Sequence, residues 1–285
     1  MTILVTAASG QLGSLVVDAL LRRGAPADSI VATARDTAKL AALAERGVRT
    51  AELDYERPDT IAAALDGVDT VLLVSGSEPG KRLAGHRNVI EAAAAAGVAK
   101  LVYTSAPKAT TFDWALGAEH KATEEAIAAS GLPAVIVRNN WYVENYVADV
   151  QRAADSGVIA ASAGDGLVAA ATRADLADGA AVVLLEDGHL GQVYEFGGDV
   201  ELSYDDIAAA AAEVLGREVA YARLSTEEHV AALEAVGLDA GTAGFVAGID
   251  TGIREGVLAG ADGTLSRLIG RATTPFAEGL RSALA

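Results

Sequence analysis

The sequence predicts an α/β fold, in which helices cover both faces of a doubly wound parallel sheet and a smaller α/β C-terminal lobe follows. In the first half of the 285-residue chain, short apolar segments alternate with longer segments of helical periodicity. A turn of small residues joins the first strand to the first helix. A glycine stands just beyond each predicted helix, where a left-handed residue commonly ends one, at Gly24, Gly47, Gly67, Gly97 and Gly131.

Each element of the first half follows from this alternation. Six short apolar runs predict strands at residues 3–6, 30–34, 48–53, 70–74, 101–104 and 134–137. The segments between them predict helices at residues 12–23, 37–46, 58–65, 82–96 and 114–129. Because the pattern changes after residue 137, we predict one domain over residues 1–138, to whose sheet later segments can return, and a second lobe over residues 139–285. That lobe is predicted to hold helices at 147–154, 204–215, 226–236, 243–257 and 274–284, and strands at 193–196 and 219–222.

The composition excludes several classes of function. A net charge of −17 argues against nucleic acid or an anionic membrane as a partner, although a local basic pocket remains compatible with it. The chain has no cysteine, so a disulfide framework and a thiolate metal site are excluded. His86, His189 and His229 fit no metal-ligand spacing and are predicted to be surface or capping residues. We see neither a signal peptide nor a membrane span, so the cytoplasm is the expected compartment.

The first fourteen residues carry the clearest functional signal. A strand, a tight turn of small residues and a helix together aim backbone N–H groups at a phosphate. Gly10 lets the backbone approach a pyrophosphate, and Gly13 lets the helix pack closely on the strand. Ala7 stands where a glycine-rich motif has its first glycine. A tight turn that binds no ligand therefore stays open as an alternative.

Residues at the ends of the next strands point to a dinucleotide. Arg35 ends the second strand, where an acidic residue would select NAD and an arginine fits the 2′-phosphate of NADP. Arg35, with Lys39, therefore predicts NADP, although the adjacent Asp36 weakens the inference. Asp54 follows the third strand, where an adenine ring could be met. Small residues at Ser75 and Gly76 follow the fourth strand and would let the chain pass close to a cofactor.

Candidate catalytic residues lie at the end of the fifth strand and on the helix after it. Ser105 is placed like the hydroxyl that orients a carbonyl in short-chain dehydrogenases. Lys121 takes the lysine position of their Tyr-x-x-x-Lys pair, but Gly117 takes the tyrosine position, so the usual proton donor is missing. His120 is a candidate donor, with a structural histidine as the alternative. Tyr142 and Tyr146 are further candidates, and a quinone acceptor could take its proton from water.

Several stretches together resemble the NmrA-like atypical short-chain dehydrogenases, and most of all their NADPH:quinone oxidoreductase type 2 and triphenylmethane reductase group. The stretches that carry the resemblance are Thr6-Ala-Ala-Ser-Gly-Gln-Leu-Gly13, Arg35 with Lys39, His86 to Ala93, Tyr103-Thr-Ser105, Glu119-His-Lys-Ala-Thr-Glu124, Arg138 to Tyr146, Gly164-Asp-Gly166 with Ala171 to Asp175, and Ser266 to Gly270 with Thr273-Thr274. The resemblance implies a Rossmann domain that binds NADPH, a smaller substrate-side lobe, and hydride transfer to quinones without a flavin.

The resemblance also implies which residues contact the cofactor and the substrate. The cofactor contacts that it implies are Gly10, Gln11, Leu12, Arg35, Ser75, Gly76 and the region from Asn139 through Asn140 and Trp141 to Tyr142. Thr6, Ala8, Ser9, Lys39 and Asp54, beside these positions, complete the predicted set of cofactor contacts. Trp141, Tyr142 and Tyr146 are expected to border the substrate. Ala7 and Asn140 stand where the group usually has glycine, and Asn140 is expected to put a side chain near the substrate cleft and shift the range of acceptors.

The leading prediction is an NADPH-dependent reductase of quinones or related conjugated or carbonyl acceptors. Two alternatives stay open from the sequence. One is a stereoselective ketone or imine reductase, which would need an effective proton donor. The other is a non-catalytic NADP(H)-binding sensor, which the missing Tyr-x-x-x-Lys pair makes conceivable. A homodimer is the default expectation for the assembly.

Overall fold

A computed structural model describes residues 1–76, 78, 80–114 and 116–285. Ala115, inside the helix predicted over residues 114–129, lies outside the described residues. The described residues form nine strands: β1 (Ile3–Val5), β2 (Ile30–Ala34), β3 (Arg49–Glu52), β4 (Thr70–Leu73), β5 (Lys100–Ser105), β6 (Ala134–Asn139), β7 (Val158–Ala161), β8 (Val193–Phe196) and β9 (Ala220–Arg223). They also form twelve α-helices: α1 (Gln11–Arg22), α2 (Ala41–Ala44), α3 (Pro58–Ala64), α4 (Arg82–Ala95), α5 (Gly117–Ser130), α6 (Val147–Ser156), α7 (Arg173–Leu185), α8 (Tyr204–Leu215), α9 (Thr226–Ala235), α10 (Ala240–Arg254), α11 (Thr264–Ile269) and α12 (Phe276–Leu284).

Seven of these strands form one sheet in the order β3-β2-β1-β4-β5-β6-β8. The first six strands pair in parallel. Strand β8 also runs parallel to β6, because Ile136 N–H donates to the Gln192 carbonyl and Asn140 N–H donates to the Phe196 carbonyl. The strand order reverses beside β1, which is the point where ligands bind in open α/β sheets. The predicted α/β class with a doubly wound parallel sheet is confirmed.

The chain divides into two compact units. Unit 1 consists of Met1–Ala109, Glu119–Asn139 and Arg173–Glu195, and unit 2 consists of Thr110–Ala118, Asn140–Thr172 and Phe196–Ala285. Unit 1 contains the large sheet except for Phe196, the last residue of β8. The segment that holds α7 and most of β8 belongs to unit 1, although unit 2 contains residues on both sides of it in the sequence.

Helix α7 is the principal element that the sequence pattern did not predict. Every residue from 175 to 184 is buried, so the helix is enclosed on all sides and has no polar stripe to give it a helical period. It packs along α1, and Arg22 donates to the Asp178 carboxylate at 2.9 Å. Its carboxyl end is capped by the buried amine of Lys100, which donates to the carbonyls of Val183, Leu184 and Glu186 at 3.1, 3.2 and 2.8 Å.

The remaining differences from the predicted elements are local. The predicted helix 37–46 begins with a 3-10 turn, Thr37–Leu40, and continues as the single α-turn α2. The predicted strand 219–222 is β9, which pairs in parallel with the unpredicted β7 in a separate two-stranded sheet of unit 2. Helix α11 was also not predicted. It is six residues long, which is too short to show a period.

Unit 2 has its own aromatic core. The Tyr146 ring packs edge-on against Tyr204 and Phe276, with ring centroids 6.1 and 5.4 Å apart, and Tyr146 is almost fully buried. Such edge-to-face pairs are a favourable arrangement of aromatic rings. In the part of the chain that the structure describes, no helix has the length and apolar character needed to cross a membrane.

Candidate functional site

The turn after β1 presents the N-terminus of α1. Gly10 is the N-cap residue that precedes α1, and no side chain caps the helix there. The first N–H groups of α1 are therefore directed to a ligand or to water. Gly13 is required by the packing of this turn, since a Cβ at that position would lie 2.4 Å from the Ala7 carbonyl oxygen. Ala7 itself has a left-handed backbone with φ of 49°, the conformation that glycine adopts most easily. The positive φ explains why a glycine is expected at this position. With Ala7 in its place, the turn has the same backbone conformation at the cost of some strain.

The predicted contacts in this turn differ in exposure. Ser9, Gly10 and Gln11 are exposed, whereas Ala8 and Leu12 are buried. Ala8 N–H donates to the Thr33 carbonyl at 2.8 Å, which fixes the turn on the sheet. A diphosphate would therefore be met mainly by the exposed residues and by the uncapped helix N-terminus.

Thr6, a predicted cofactor contact, is fully buried and links three strand ends. Val74 N–H donates to the Thr6 hydroxyl at 2.9 Å, and the Tyr55 hydroxyl donates to the Val74 carbonyl at 2.7 Å. Because the Tyr55 proton is committed to that carbonyl, the 2.6 Å bond between the two hydroxyls must be donated by Thr6. The three residues thus form a closed ring of hydrogen bonds. Thr6 therefore stabilises the backbone around the site, and its hydroxyl is already bonded within the protein.

The end of β2 carries two exposed cations. The side chains of Arg35 and Lys39 form no hydrogen bond or ion pair with the described residues, although the charge of Arg35 acts on the nearby Glu78 carboxylate. Asp36, the residue that weakened the NADP prediction, caps the following 3-10 turn by accepting from Ala38 N–H at 3.0 Å. Its carboxylate therefore has a structural partner. The Asp54 carboxylate accepts from Glu56 N–H at 3.0 Å in a similar turn, and Asp54 is only half-buried.

The β4 loop (residues 74–76) is held by hydrogen bonds at every residue. Ser75 N–H donates to the Thr104 hydroxyl at 2.9 Å. Gly76 N–H donates to Nε2 of His86 at 3.0 Å, and its carbonyl accepts from Nε of Arg82 at 2.5 Å. The prediction that His86 is a surface or capping residue is wrong, because the side chain is fully buried. A signal was available: His86 shares a face of α4 with Val89, Ile90 and Ala93, which the helical spacing predicts to be buried.

His120 lies in the same buried region, on α5. Its Nδ1 forms a 2.8 Å hydrogen bond with the hydroxyl of Tyr103, which is itself fully buried. Burial, together with the nearby Arg82 and His86, lowers the pKa of His120 to about 3. The imidazole is therefore uncharged at neutral pH and is a poor source of a proton. The catalytic role of His120 stays a prediction. In this arrangement, the neutral ring would act by donating a hydrogen bond.

Ser105 is part of a buried ion-pair network. Its hydroxyl donates to the Glu124 carboxylate at 2.6 Å, and Arg138 donates to the same carboxylate at 2.9 and 2.7 Å. Arg138 also donates to Glu195 at 3.0 Å. Because the only proton of Ser105 is committed to Glu124, it has none to offer a substrate oxygen in this arrangement. Sequence reasoning missed Glu124, whose partners come from other strands and leave no local pattern.

Lys121 does not join this group. It is exposed on α5, whereas His120, Thr123 and Glu124 on the same helix are buried. Successive helical residues are about 100° apart, so neighbours in sequence face different directions. The structure thus brings Ser105 and His120 to one side of α5 and leaves Lys121 on the other.

The segment from residue 139 to 146 divides by burial. Asn139 ends β6, and its buried side-chain oxygen has no hydrogen-bond partner among the described residues. Trp141 and Tyr142 are half-buried. Asn140 is buried, and its amide donates to the Leu258 carbonyl at 3.0 Å within unit 2; its expected place near the substrate stays a prediction. Tyr146, predicted to border the substrate, belongs instead to the aromatic core of unit 2.

A buried serine, histidine and aspartate also meet in unit 2. Nδ1 of His229 lies 2.9 Å from the Asp250 carboxylate and 3.3 Å from the Ser162 hydroxyl. A nucleophilic triad needs the two partners on different ring nitrogens, so this cluster lacks hydrolase geometry. The surface prediction for His229 is wrong, because the residue is buried by these contacts. Among the described residues, no group of acidic residues and histidines could hold a metal ion.

The unit 1 groups fit a phosphorylated dinucleotide. An uncapped helix N-terminus and two exposed cations, whose side chains form no hydrogen bond or ion pair with the described residues, lie at the ends of adjacent parallel strands. In agreement, a family model described as NAD(P)H-binding matches residues 7–187. The chain therefore belongs to this NAD(P)H-binding family, and the family resemblance of its motifs is confirmed.

Individual relatives cover nearly the whole chain. Quinone oxidoreductase 2 of Escherichia coli (strain K12) is 44% identical over 276 residues, which are 97% of this chain and 96% of the relative. The crystal structure of the NADPH-dependent quinone oxidoreductase of Escherichia coli complexed with NADPH has a TM-score of 0.96 and 43% identity, and 100% of both chains is covered. The Citrobacter sp. triphenylmethane reductase complexed with NADP(H) has a TM-score of 0.91 and 34% identity, and 99% of this chain and 100% of that chain are covered.

Proposed function

We propose that the protein is an NADPH-dependent reductase that transfers a hydride to quinones or related conjugated acceptors without a flavin. The observation that carries the proposal is that Ser105 and His120, around the end of β5, are engaged within the protein and neither is placed as an acid. The similarity to a quinone oxidoreductase and a triphenylmethane reductase supports the same conclusion.

The two kinds of phosphate on the cofactor each have a group in unit 1 that suits them. The N–H groups of the uncapped α1 N-terminus receive the diphosphate, with Gly10 allowing close approach of the backbone. Arg35 and Lys39 receive the 2′-phosphate, for which a guanidinium can donate two parallel hydrogen bonds. When bound, NADPH supplies a hydride, which carries two electrons to the acceptor.

The acceptor must then obtain a proton, and Ser105, His120 and Lys121 are not placed to act as an acid in this step. Ser105 is committed to Glu124, His120 is uncharged, and Lys121 is exposed away from both. A quinone that accepts a hydride becomes a phenolate, and phenols have a pKa of about 10, so water can complete the reaction. A ketone becomes an alkoxide, whose conjugate acid is about as weak as water itself, with a pKa of about 15.7. The site therefore suits a quinone better than a ketone.

A substrate and cofactor panel tests the proposal. The purified protein is mixed with NADPH or NADH and with a small benzoquinone, menadione, a triphenylmethane dye or an aryl ketone, and the nicotinamide absorbance is followed. We expect NADPH to be oxidised with the quinones, with a turnover that changes little between pH 6 and pH 8. Oxidation only with ketones, or no oxidation with any acceptor, would contradict the proposal.

A pair of arginine variants tests the cofactor assignment. Arg35→Ala should raise the KM for NADPH by about tenfold or more, because a charge-assisted hydrogen bond contributes about 1.5–3 kcal/mol, and should leave the KM for NADH unchanged. The matched control is Arg49→Ala, which removes an equally exposed arginine from the opposite end of the neighbouring strand β3. Equal effects of Arg35→Ala on the two cofactors would contradict the role of Arg35.

A further inference from the structure

The β4 loop depends on one buried histidine. Gly76 N–H reaches Nε2 of His86 at 3.0 Å, and Nδ1 of the same ring lies 3.0 Å from the Thr123 hydroxyl. Thr123 donates its own proton to the Glu119 carbonyl at 2.9 Å, so it can only accept from the ring. Nδ1 therefore carries the proton, and Nε2 is bare and accepts from Gly76. Protonation of Nε2 would place two N–H groups against each other.

The neighbouring residues keep the ring and the loop in place. Tyr55 and Tyr103 pack edge-on against the His86 ring, with centroids 5.9 and 5.5 Å away. The Tyr55 hydroxyl in turn holds the Val74 carbonyl. On the other side of the loop, Arg82 holds the Gly76 carbonyl and lies 3.4 Å from the Glu119 carboxylate. Consecutive peptides of the loop are thus fixed from β1, α4 and β5 before any ligand binds.

The position of the loop connects it to the cofactor. It follows β4, next to β1, where the strand order of the sheet reverses and where dinucleotides cross the sheet edge. A loop that is already ordered lowers the entropy cost of binding. A histidine is also an unusual choice for a fully buried position on an apolar helix face. Both of its ring nitrogens are used, one of them directly on the loop.

We propose that His86 is a positioning residue for NADPH, which as the uncharged Nδ1–H tautomer fixes the backbone of the β4 loop against which the cofactor binds. The inference rests on the proposed use of NADPH, because it assigns a role in binding that cofactor. It goes beyond that function by naming a buried side chain, outside the predicted set of cofactor contacts, on which cofactor affinity depends.

The first test needs no cofactor. The protein is labelled with ¹⁵N-histidine, and the tautomer of His86 is read from its ring nitrogen shifts at pH 7. We expect a protonated Nδ1 and a bare Nε2 with a coupling or close contact to the Gly76 amide. The opposite tautomer, or an imidazolium, would overturn the proposal whatever the enzyme does.

The second test measures NADPH affinity directly by fluorescence titration. His86→Leu fills the space but leaves Gly76 N–H without an acceptor, and we expect the Kd for NADPH to rise about tenfold. His86→Gln keeps one acceptor and one donor, and should stay within about threefold of the unchanged protein. The matched control is His229→Leu, which removes another buried histidine from unit 2 and should lower the melting temperature without changing the Kd.

The outcomes separate this proposal from the proposed function. An unchanged Kd in His86→Leu, or an equal rise in His229→Leu, would overturn the positioning role even if quinones are reduced normally. Conversely, NADPH binding that depends on His86 without turnover of any acceptor would keep this proposal and reject the function. If His86→Leu does not fold, the unaltered protein and His86→Gln decide: the opposite tautomer in the first, or a Kd for NADPH raised tenfold in the second, would overturn the proposal.

Discussion

Two regions of unit 1 lie at the same edge of the sheet and differ in the state of their polar groups. At the ends of β1 and β2, the helix N-terminus is uncapped, and the side chains of two cations form no hydrogen bond or ion pair with the described residues. At the ends of β4 and β5, Ser105, His86 and the Gly76 peptide all have hydrogen-bond partners inside the protein. The first region has binding capacity for an anion, and the second has a fixed shape.

This difference explains how one edge can serve both a charged cofactor and an acceptor that needs no acid. Groups without partners can exchange water for phosphate oxygens at little cost. Groups that are already paired in a buried setting keep their geometry, because breaking such a bond leaves a polar atom unsatisfied. The groups at the ends of β4 and β5 therefore order the backbone near the reacting groups, and their protons stay in hydrogen bonds within the protein.

The largest expected effect comes from breaking the first region. Gly13→Ala would place a Cβ 2.4 Å from the Ala7 carbonyl oxygen and 2.9 Å from the Ala8 Cα, and backbone atoms cannot move aside easily. We expect a loss of about 3 kcal/mol or more in the free energy of unfolding and a Kd for NADPH raised more than tenfold. Urea unfolding and fluorescence titration measure both.

A second glycine supplies the control for that change. Gly244 lies in α10 with nothing within 4 Å of an added Cβ, so Gly244→Ala should leave binding unchanged and stabilise the helix by about 0.5–1 kcal/mol. If Gly13→Ala bound NADPH as tightly as Gly244→Ala, the close approach of α1 to the turn would have no role in binding.

A smaller effect is expected when acid disturbs the second region. Burial, with Arg82 adding to it, lowers the pKa of His86 to about 4, against about 6.5 in the unfolded chain. The unfolded chain therefore binds more protons below pH 6.5. The contribution of the neutral histidine to stability is complete above that pH and is lost as the pH falls toward 4, by about 3 kcal/mol for His86 alone.

Urea unfolding at pH 7, 5.5 and 4.5 measures this dependence, and His86→Gln is the comparison because it does not titrate. His120, Arg82, Tyr55 and Tyr103 surround the ring and are unchanged in that variant. We expect the two stability profiles to converge in acid and to be separate at neutral pH. Parallel profiles would mean that His86 does not titrate in this range.

The smallest effect is expected from the serine that resembles a catalytic hydroxyl. Ser105→Ala removes a hydrogen bond to Glu124, so the free energy of unfolding should fall by about 1 kcal/mol, while quinone turnover stays within about twofold. Ser130→Ala is the control, since that hydroxyl donates to the Ile127 carbonyl at the far end of α5. A fall in kcat of a hundredfold specific to Ser105→Ala would show that the second region does supply a proton.

The fold was largely predictable because its signals are local. The boundaries of β2, β8 and α8 match the predicted ranges, and those of β1 and β4 differ by one residue. Apolar runs and terminal glycines are read within a few residues of each other, and they decide the alternation of strand and helix. The turn after β1 was also local, so the need for Gly13 could be predicted from the sequence.

The state of the site was not predictable, because it depends on partners far apart in the chain. Ser105 alone looks like a free hydroxyl, and only the folded chain brings Glu124 and Arg138 beside it. Asn140 is likewise held by a residue far along the chain, because its amide donates to the Leu258 carbonyl. Helix α7 was not predicted because a helix enclosed on all sides has no polar face to mark its period.

The discontinuity of unit 1 has a consequence for how the chain is made. When residue 139 has been synthesised, α1 still lacks its neighbour α7, the Lys100 amine lacks the carbonyls that receive it, and Arg138 lacks Glu195. The missing segment is complete only after roughly 55 further residues, which takes about 3–11 s at ribosomal rates of about 5–20 residues per second. Unit 1 of the nascent protein is therefore incomplete until residues 173–195 have been synthesised, after residues 140–172 of unit 2.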